Sequence, residues 1–207
     1  MTTRDDPQSA APLKGVELLV CVCGGIAAYK TASIVSTLVQ RGAGVTVAMS
    51  EAATKFVAPL TFQALSGRAV LTGLWSPGES ADIQHILATD RARLVIVAPA
   101  TANMIGKIAG GIADDLVSTL VMSASGTVLI APAMNERMWQ NPIVAAHVAR
   151  LGELGYEFIG PESGWQACRH VGVGRMSEPD DIVARATAIV EGSGRHDGPE
   201  GSVHRRD

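Results

Sequence analysis

Four short apolar runs, VELLVCVC at 16–23, VTVAM at 45–49, LVIVA at 94–98 and VLIA at 128–131, are set apart by much longer amphipathic stretches. A strand that is apolar on both faces must be covered from both sides, which is the situation of a parallel sheet between two layers of helix. Between the first two runs, residues 26–41 put Ala28, Ala32, Val35 and Val39 on one helical stripe, flanked by Ala27, Ile34 and Leu38. Gly42 and Gly44 end that helix. Further helices are expected over 51–66, 103–123, 142–154 and 180–191, and a fifth strand over 156–159. Strand and helix alternating through short links predict an α/β fold: a doubly wound parallel sheet of the Rossmann or flavodoxin type, with helices on both faces, in one domain.

Length and composition narrow the reading further. A chain of 207 residues suits one domain. With 47% hydrophobic and 18% charged residues, neither bulk disorder nor a coiled coil fits. Residues 1–13 are polar and hold Pro7 and Pro12, so a flexible arm is expected there; 192–207 contain a single aliphatic residue, Val203, and are expected to be a disordered tail. The folded unit is then 14–191. The N-terminus carries acids and no apolar segment of the secretory kind, and no run approaches the roughly 20 apolar residues that span a bilayer. A net charge of −3 offers no footprint for nucleic acid. Three cysteines, Cys21, Cys23 and Cys168, in a cysteine-poor chain suggest a reducing, cytoplasmic setting.

In doubly wound sheets ligands bind at the carboxyl ends of the strands, so the residues that follow each run matter most. After the first come Gly24, Gly25, Ile26, Ala27, Ala28, Tyr29 and Lys30. Glycines at a helix start let a phosphate or ring come close to free N–H groups; a tight strand–helix turn is the plainer alternative. Ser50 follows the second run, as an N-cap or a phosphate ligand. After the third run Pro99 stops the strand, and Ala100, Thr101, Ala102 and Asn103 open a helix and an anion-binding turn. That helix continues through Gly106, Gly110 and Gly111, which points to close packing against another chain or a cofactor. After the fourth run come Pro132, Ala133, Met134, Asn135, Glu136, Arg137, Met138 and Trp139, a soft apolar wall around an amide that can donate to a carboxylate.

These segments resemble a known family, the homo-oligomeric flavin-containing cysteine decarboxylases. PATAN at 99–103 resembles its PASAN flavin-binding motif with Thr for Ser, and PAMNERMW at 132–139 matches its PxMNxxMW substrate motif. GGIAAYK at 24–30 and ACRHVGVGRM at 167–176 resemble the phosphopantothenoylcysteine decarboxylase subgroup, whose flap reads ACGDxGxGRM. Arg169 and His170 depart from that pattern, standing where the flap carries Gly and Asp. The similarity runs from about Gly15 to Val190.

The resemblance implies FMN as cofactor, held by Gly24, Gly25, Ile26, Ser50, Phe56, Ala100, Thr101, Ala102, Asn103 and Met134. It implies decarboxylation of 4′-phosphopantothenoyl-L-cysteine to 4′-phosphopantetheine, a step of coenzyme A synthesis. The carboxylate sits on a carbon with no adjacent electron sink; oxidising the thiol to a thioaldehyde creates one, CO2 loss gives an enethiolate, and reduced flavin returns the hydride. His85, in the segment Asp82 to Ile86, is the acid–base candidate. Asn135 would orient the carboxylate and Cys168 would protonate the enethiolate carbon. Asn135, Met138, Arg169, Gly172, Gly174, Arg175 and Met176 would contact substrate, with the segment around Cys168 as a mobile flap. Cys21 and Cys23 read as core, and no metal is implied. As partners the resemblance implies a homo-oligomer, a trimer with flavin at the subunit contacts or a dodecamer built from trimers. A separate synthetase would be its pathway neighbour, since the chain is too short to include one. The weighed alternatives are a peptidyl-cysteine decarboxylase, a non-catalytic flavin-binding regulator and a flavin prenyltransferase; the last should lack PxMNxxMW.

Overall fold

The computed structural model describes residues 12–74, 88–167 and 169–193. In chain order these form β1 (Glu17–Val22), α1 (Ala28–Gln40), β2 (Gly44–Met49), α2 (Pro59–Ser66), β3 (Leu94–Ala100), α3 (Ala102–Gly110), α4 (Leu116–Met122), β4 (Thr127–Pro132), α5 (Glu136–Trp139), α6 (Pro142–Glu153), β5 (Glu157–Phe158), β6 (Glu162–Trp165), β7 (Val171–Arg175) and α7 (Pro179–Ser193). The first five strands make one parallel sheet in the order β2-β1-β3-β4-β5, the expected doubly wound architecture. Its connections reverse direction between β1 and β3, so a crevice opens at their carboxyl ends.

Side-chain alternation along the strands builds two cores. Leu18, Val20 and Val22 of β1 and Leu94 and Ile96 of β3 pack on one face with Ile34, Val35 and Leu38 of α1 and Ile182 and Val183 of α7. Leu19, Cys21, Val95 and Val97 face the other side, against Ile105 and Ile108 of α3 and Leu120 of α4. Each fully buried Leu or Ile contributes about 1.5–3 kcal/mol. The buried stripe of α1 is Ala28, Thr31, Ile34, Val35 and Leu38, rotated from the expected one because Thr31 points inward. Its hydroxyl donates to the Ala98 carbonyl at 2.8 Å, which satisfies a polar group that periodicity alone would have turned to solvent.

Several boundaries differ from expectation, each for a local reason. Residues 51–66 are not one helix. A short 3-10 turn, Ala53–Lys55, precedes α2, and Ala58 between them is extended at φ −68°, ψ 140° because Pro59 disfavours the helical region for the residue before it. The expected helix 103–123 is two helices: α3 stops where Gly111 turns left-handed at φ 69°, and Asp115 starts α4 with a reciprocal capping box to Ser118. The glycines Gly110 and Gly111 thus end a helix rather than weaken the middle of one. Pro99 does not stop β3, which runs on to Ala100 with a register shift against β4 between Val97 and Ala100. Leu13, placed in the arm, is fully buried, and its N–H donates to the Arg41 carbonyl at 3.0 Å; α7 runs to Ser193, past the expected boundary at 191.

The segment read as a flap is a β-hairpin, β6 and β7 paired antiparallel in a sheet of their own. Arg169 near its tip has φ 63°, a left-handed conformation costing a non-glycine residue about 1–2 kcal/mol. Among the described residues no helix is long and apolar enough to cross a membrane.

Candidate active site

A cavity of about 1190 Å3 lies at the carboxyl ends of β1, β2, β3 and β4. It is lined by Gly24, Gly25 and Ile26 ahead of α1, by Ser50 after β2, and by Thr101, Ala102 and Asn103 at the start of α3. Met134, Asn135 and Met138, which follow β4, line it as well, and Gly174, Arg175 and Met176 from the hairpin complete it. Four strand ends that are far apart in sequence therefore meet in one place. Four other expected site residues are not in its lining. Phe56 is half exposed, and Ala100 is buried, its carbonyl accepting from Ala133 N at 2.9 Å. Arg169 is exposed near the hairpin tip, and Gly172 is buried in β7 against the Glu136 carboxylate. His85 and Cys168 fall outside the described residues.

The two helix starts differ in their capping. The α1 start has no side-chain cap and no acidic residue in its first turn, so no side chain there competes with an incoming anion, while Ala28 N and Lys30 N donate to the Gly25 and Ala27 carbonyls at 2.9 and 3.0 Å. At α3 the Thr101 hydroxyl accepts from Met104 N at 3.3 Å. Ser50 accepts from Ala53 N at 3.2 Å, so its hydroxyl both holds the turn and faces the cavity. The two glycines also separate. A Cβ on Gly24 would meet Ala52 and lie 2.8 Å from the Ala52 carbonyl carbon, whereas one on Gly25 finds only Thr101 Cγ2 at 3.7 Å. Gly24 is required by protein packing against the β2 turn; Gly25 is the one with open space before it.

Asn135 caps α5: its Oδ1 accepts from Met138 N at 2.9 Å. With that oxygen engaged, the Nδ2 amino group is the end that offers donors. The hairpin docks on this turn, with Met134 N donating to the Gly174 carbonyl at 2.9 Å. Gly174 has φ 146°, and a Cβ there would strike the Met134 carbonyl oxygen, so only glycine lets the two segments meet.

Arg175 was an expected site residue, but how the charged residues of the cavity pair was not legible in the sequence, because the partners come from different elements. Lys30 of α1 contacts Glu178 at 3.1 Å, and Arg175 contacts the same carboxylate at 2.5 Å. Hydrogen bonding from Lys30, assisted by the Arg175 charge, holds Glu178 below the usual carboxylate range. Lys107 bridges Asp114 and Asp115, both at 2.6 Å. Burial would raise the Asp115 pKa, but the bonds from Lys107 and Ser118 outweigh it and leave it lowered. A lowered carboxylate contributes stability above its unfolded pKa and loses it as pH falls through the folded value. Asp115→Asn keeps a capping side chain but loses the ion pair. It is expected to cost about 1 kcal/mol at neutral pH, with variant and wild type converging in thermal melts as pH drops below 3.8. Cys23, fully buried beside the cavity, has its thiol pushed up to about 12 by burial, and Cys21 is raised likewise, so neither is a thiolate near neutral pH.

A cavity at the switch point of a doubly wound sheet, lined both by a helix start without a side-chain cap and by the apolar side chains of Met134, Met138 and Trp165, fits a planar ring carrying a phosphate. Residues 7–191 match the family model described as Flavoprotein, and the chain belongs to that family. Over 174 residues it is 50% identical to the coenzyme A biosynthesis bifunctional protein CoaBC of Bacillus subtilis, a match covering 84% of this chain and 43% of that protein. The chain thus spans less than half the length of the curated relatives it matches. Among solved structures it is similar to a PPC decarboxylase mutant complexed with pantothenoylaminoethenethiol, with TM-score 0.75, 27% identity and coverage of 85% of this chain and 98% of that one. It is also similar to the FMN binding protein AtHal3, with TM-score 0.73, 28% identity and coverage of 86% and 98%.

Proposed function

We propose that this chain is an FMN-dependent decarboxylase that converts 4′-phosphopantothenoyl-L-cysteine to 4′-phosphopantetheine in coenzyme A synthesis. One observation carries the reading: a single cavity joins the uncapped α1 start and Thr101 to Asn103 with the Met134–Asn135 turn and its docked hairpin. The names of its relatives, a coenzyme A biosynthesis protein and a PPC decarboxylase, support the same chemistry.

Gly24, Gly25, Ile26, Ser50, Thr101, Ala102, Asn103 and Met134 would hold FMN, with the α1 start taking its phosphate. Bound there, FMN would supply a reversible two-electron oxidation of the thiol-bearing carbon, which gives the electrons of the breaking C–C bond somewhere to go. The Asn135 amino group donates to the substrate carboxylate and fixes its rotation. As a neutral donor it orients the carboxylate without holding the departing CO2 by charge. Met134 and Met138 line the cavity beside Asn135 and offer apolar contact to the substrate next to that carboxylate. Arg175, Met176 and Gly174 form the substrate-facing part of the hairpin. We assign proton transfer to His85 and protonation of the enethiolate carbon to Cys168, on their sequence context. A homo-oligomer, trimer or dodecamer, fits the exposed side chains of Ile112, Met122 and Ile143. A synthetase for the substrate and a cytoplasmic setting belong to the same reading.

The purified protein is expected to be yellow, to release FMN on denaturation and to turn over phosphopantothenoylcysteine far faster than a peptide ending in cysteine. Cys168→Ser should still evolve CO2 while the oxidised enethiol accumulates. A folded, flavin-free preparation, or preferential turnover of the peptide, overturns the reading.

A further inference from the structure

Two-stranded hairpins are marginally stable on their own, so the position of β6–β7 is set by what it docks against. Four bonds tie it to the turn that carries Asn135. Met134 N donates to the Gly174 carbonyl at 2.9 Å, and Glu136 N donates to Gln166 Oε1 at 3.3 Å. The other two belong to one carboxylate: Glu136 Oε1 accepts from Val173 N at 3.3 Å, and Glu136 Oε2 lies 3.2 Å from His170 Nε2. The carboxylate is seated against the hairpin itself, because a Cβ on Gly172 would come within 2.6 Å of its Cδ.

Glu136 does not line the cavity, whereas Gln166, Ala167, Gly174 and Arg175 of the hairpin do. The left-handed Arg169 adjoins the clamped His170, so the tip holds an unfavourable conformation next to one of these bonds. We propose that Glu136 is a positioning residue: by gripping Val173 and His170 it fixes the cavity wall that faces Asn135, and so sets how tightly substrate is held. It acts through the hairpin and touches no reacting atom. Asn135 and Glu136 are neighbours in the chain, which gives the clamp and the carboxylate-binding amide a common rigid base. The kinetic part of this assignment rests on the decarboxylase reading; the clamp itself does not.

The chemistry of the pair supplies a test by sign. Glu136→Ala removes both bonds and is expected to raise KM for phosphopantothenoylcysteine about 10-fold, with kcat within about 3-fold of wild type. His170→Asp puts a second carboxylate against the first and should act similarly; His170 is largely exposed, which protects the fold. Adding Glu136→Gln to His170→Asp should bring KM back within about 3-fold of wild type, since a glutamine can accept from Val173 N while donating to Asp at 170. A merely structural defect would not be rescued by a second substitution. Hydrogen exchange at the Val173 amide, measured on the flavin-loaded protein without substrate, should be about 10-fold faster in Glu136→Ala and restored in the double variant. Unchanged exchange in Glu136→Ala, or a double variant no better than His170→Asp, overturns the clamp. A wild type inert toward phosphopantothenoylcysteine would instead overturn the decarboxylase reading and leave the exchange result to decide the clamp.

Discussion

Asn135→Asp is expected to leave the fold and flavin content intact while lowering kcat/KM by about 1,000-fold. Aspartate caps a helix as well as asparagine does, so it can accept from Met138 N as Asn135 does at 2.9 Å. Its negative charge at a helix start is mildly favourable; stability should therefore change by less than about 0.5 kcal/mol. In the cavity the same substitution replaces a donor with an anion. Losing a hydrogen bond to a charged group costs about 1.5–3 kcal/mol, and facing the substrate carboxylate with a like charge costs several more. At 1.36 kcal/mol per tenfold, a total near 4 kcal/mol corresponds to about 1,000-fold. Product formation, a thermal melt and the flavin absorbance, taken on one preparation, check all three parts. Activity within tenfold of wild type would show that Asn135 does not hold the carboxylate.

Gly24→Ala is expected to be strongly destabilising. The added carbon meets Ala52, including its carbonyl carbon at 2.8 Å and carbonyl oxygen at 3.0 Å. Backbone cannot swing aside as a side chain can, so the turns after β1 and β2 must separate. Overpacking of this kind costs about 3 kcal/mol, or roughly 6–12 °C in Tm for a chain of this size. Both turns line the cavity, so flavin content should fall as well. Gly25→Ala is the control: its nearest neighbour, Thr101 Cγ2 at 3.7 Å, is an ordinary contact, and Tm should move by no more than about 2 °C. Adding Ala52→Gly to Gly24→Ala should recover only part of the loss, because the backbone contacts remain. Equal melts for Gly24→Ala and Gly25→Ala would refute the packing argument.

The sheet was legible because burial on both faces leaves a sign that needs no tertiary knowledge: short runs such as LVIVA, bounded by turn residues. The strand ends were legible for the same reason, since a doubly wound sheet collects whatever follows its strands. The helix breaks were not. Pro59 and Gly111 are ordinary in their surroundings until the chain on either side is seen to change direction. The β6–β7 hairpin carries few apolar residues and three glycines, Gly164, Gly172 and Gly174, so its pattern is faint. It exists because Met134 and Glu136 offer it partners and Gln166 bonds across it to the Gly172 carbonyl.

The amino-acid sequence by itself determined the parallel sheet, the order of its elements and the four segments that meet at its carboxyl edge, because hydrophobic periodicity and turn chemistry act over a few residues at a time. Only the tertiary structure decided which of two adjacent glycines faces open space, that Thr31 is a core residue, and that Lys30 and Arg175 share the Glu178 carboxylate. Those outcomes depend on distances between residues far apart in the chain. Close packing and charge pairing respond to such distances, and a linear pattern does not record them.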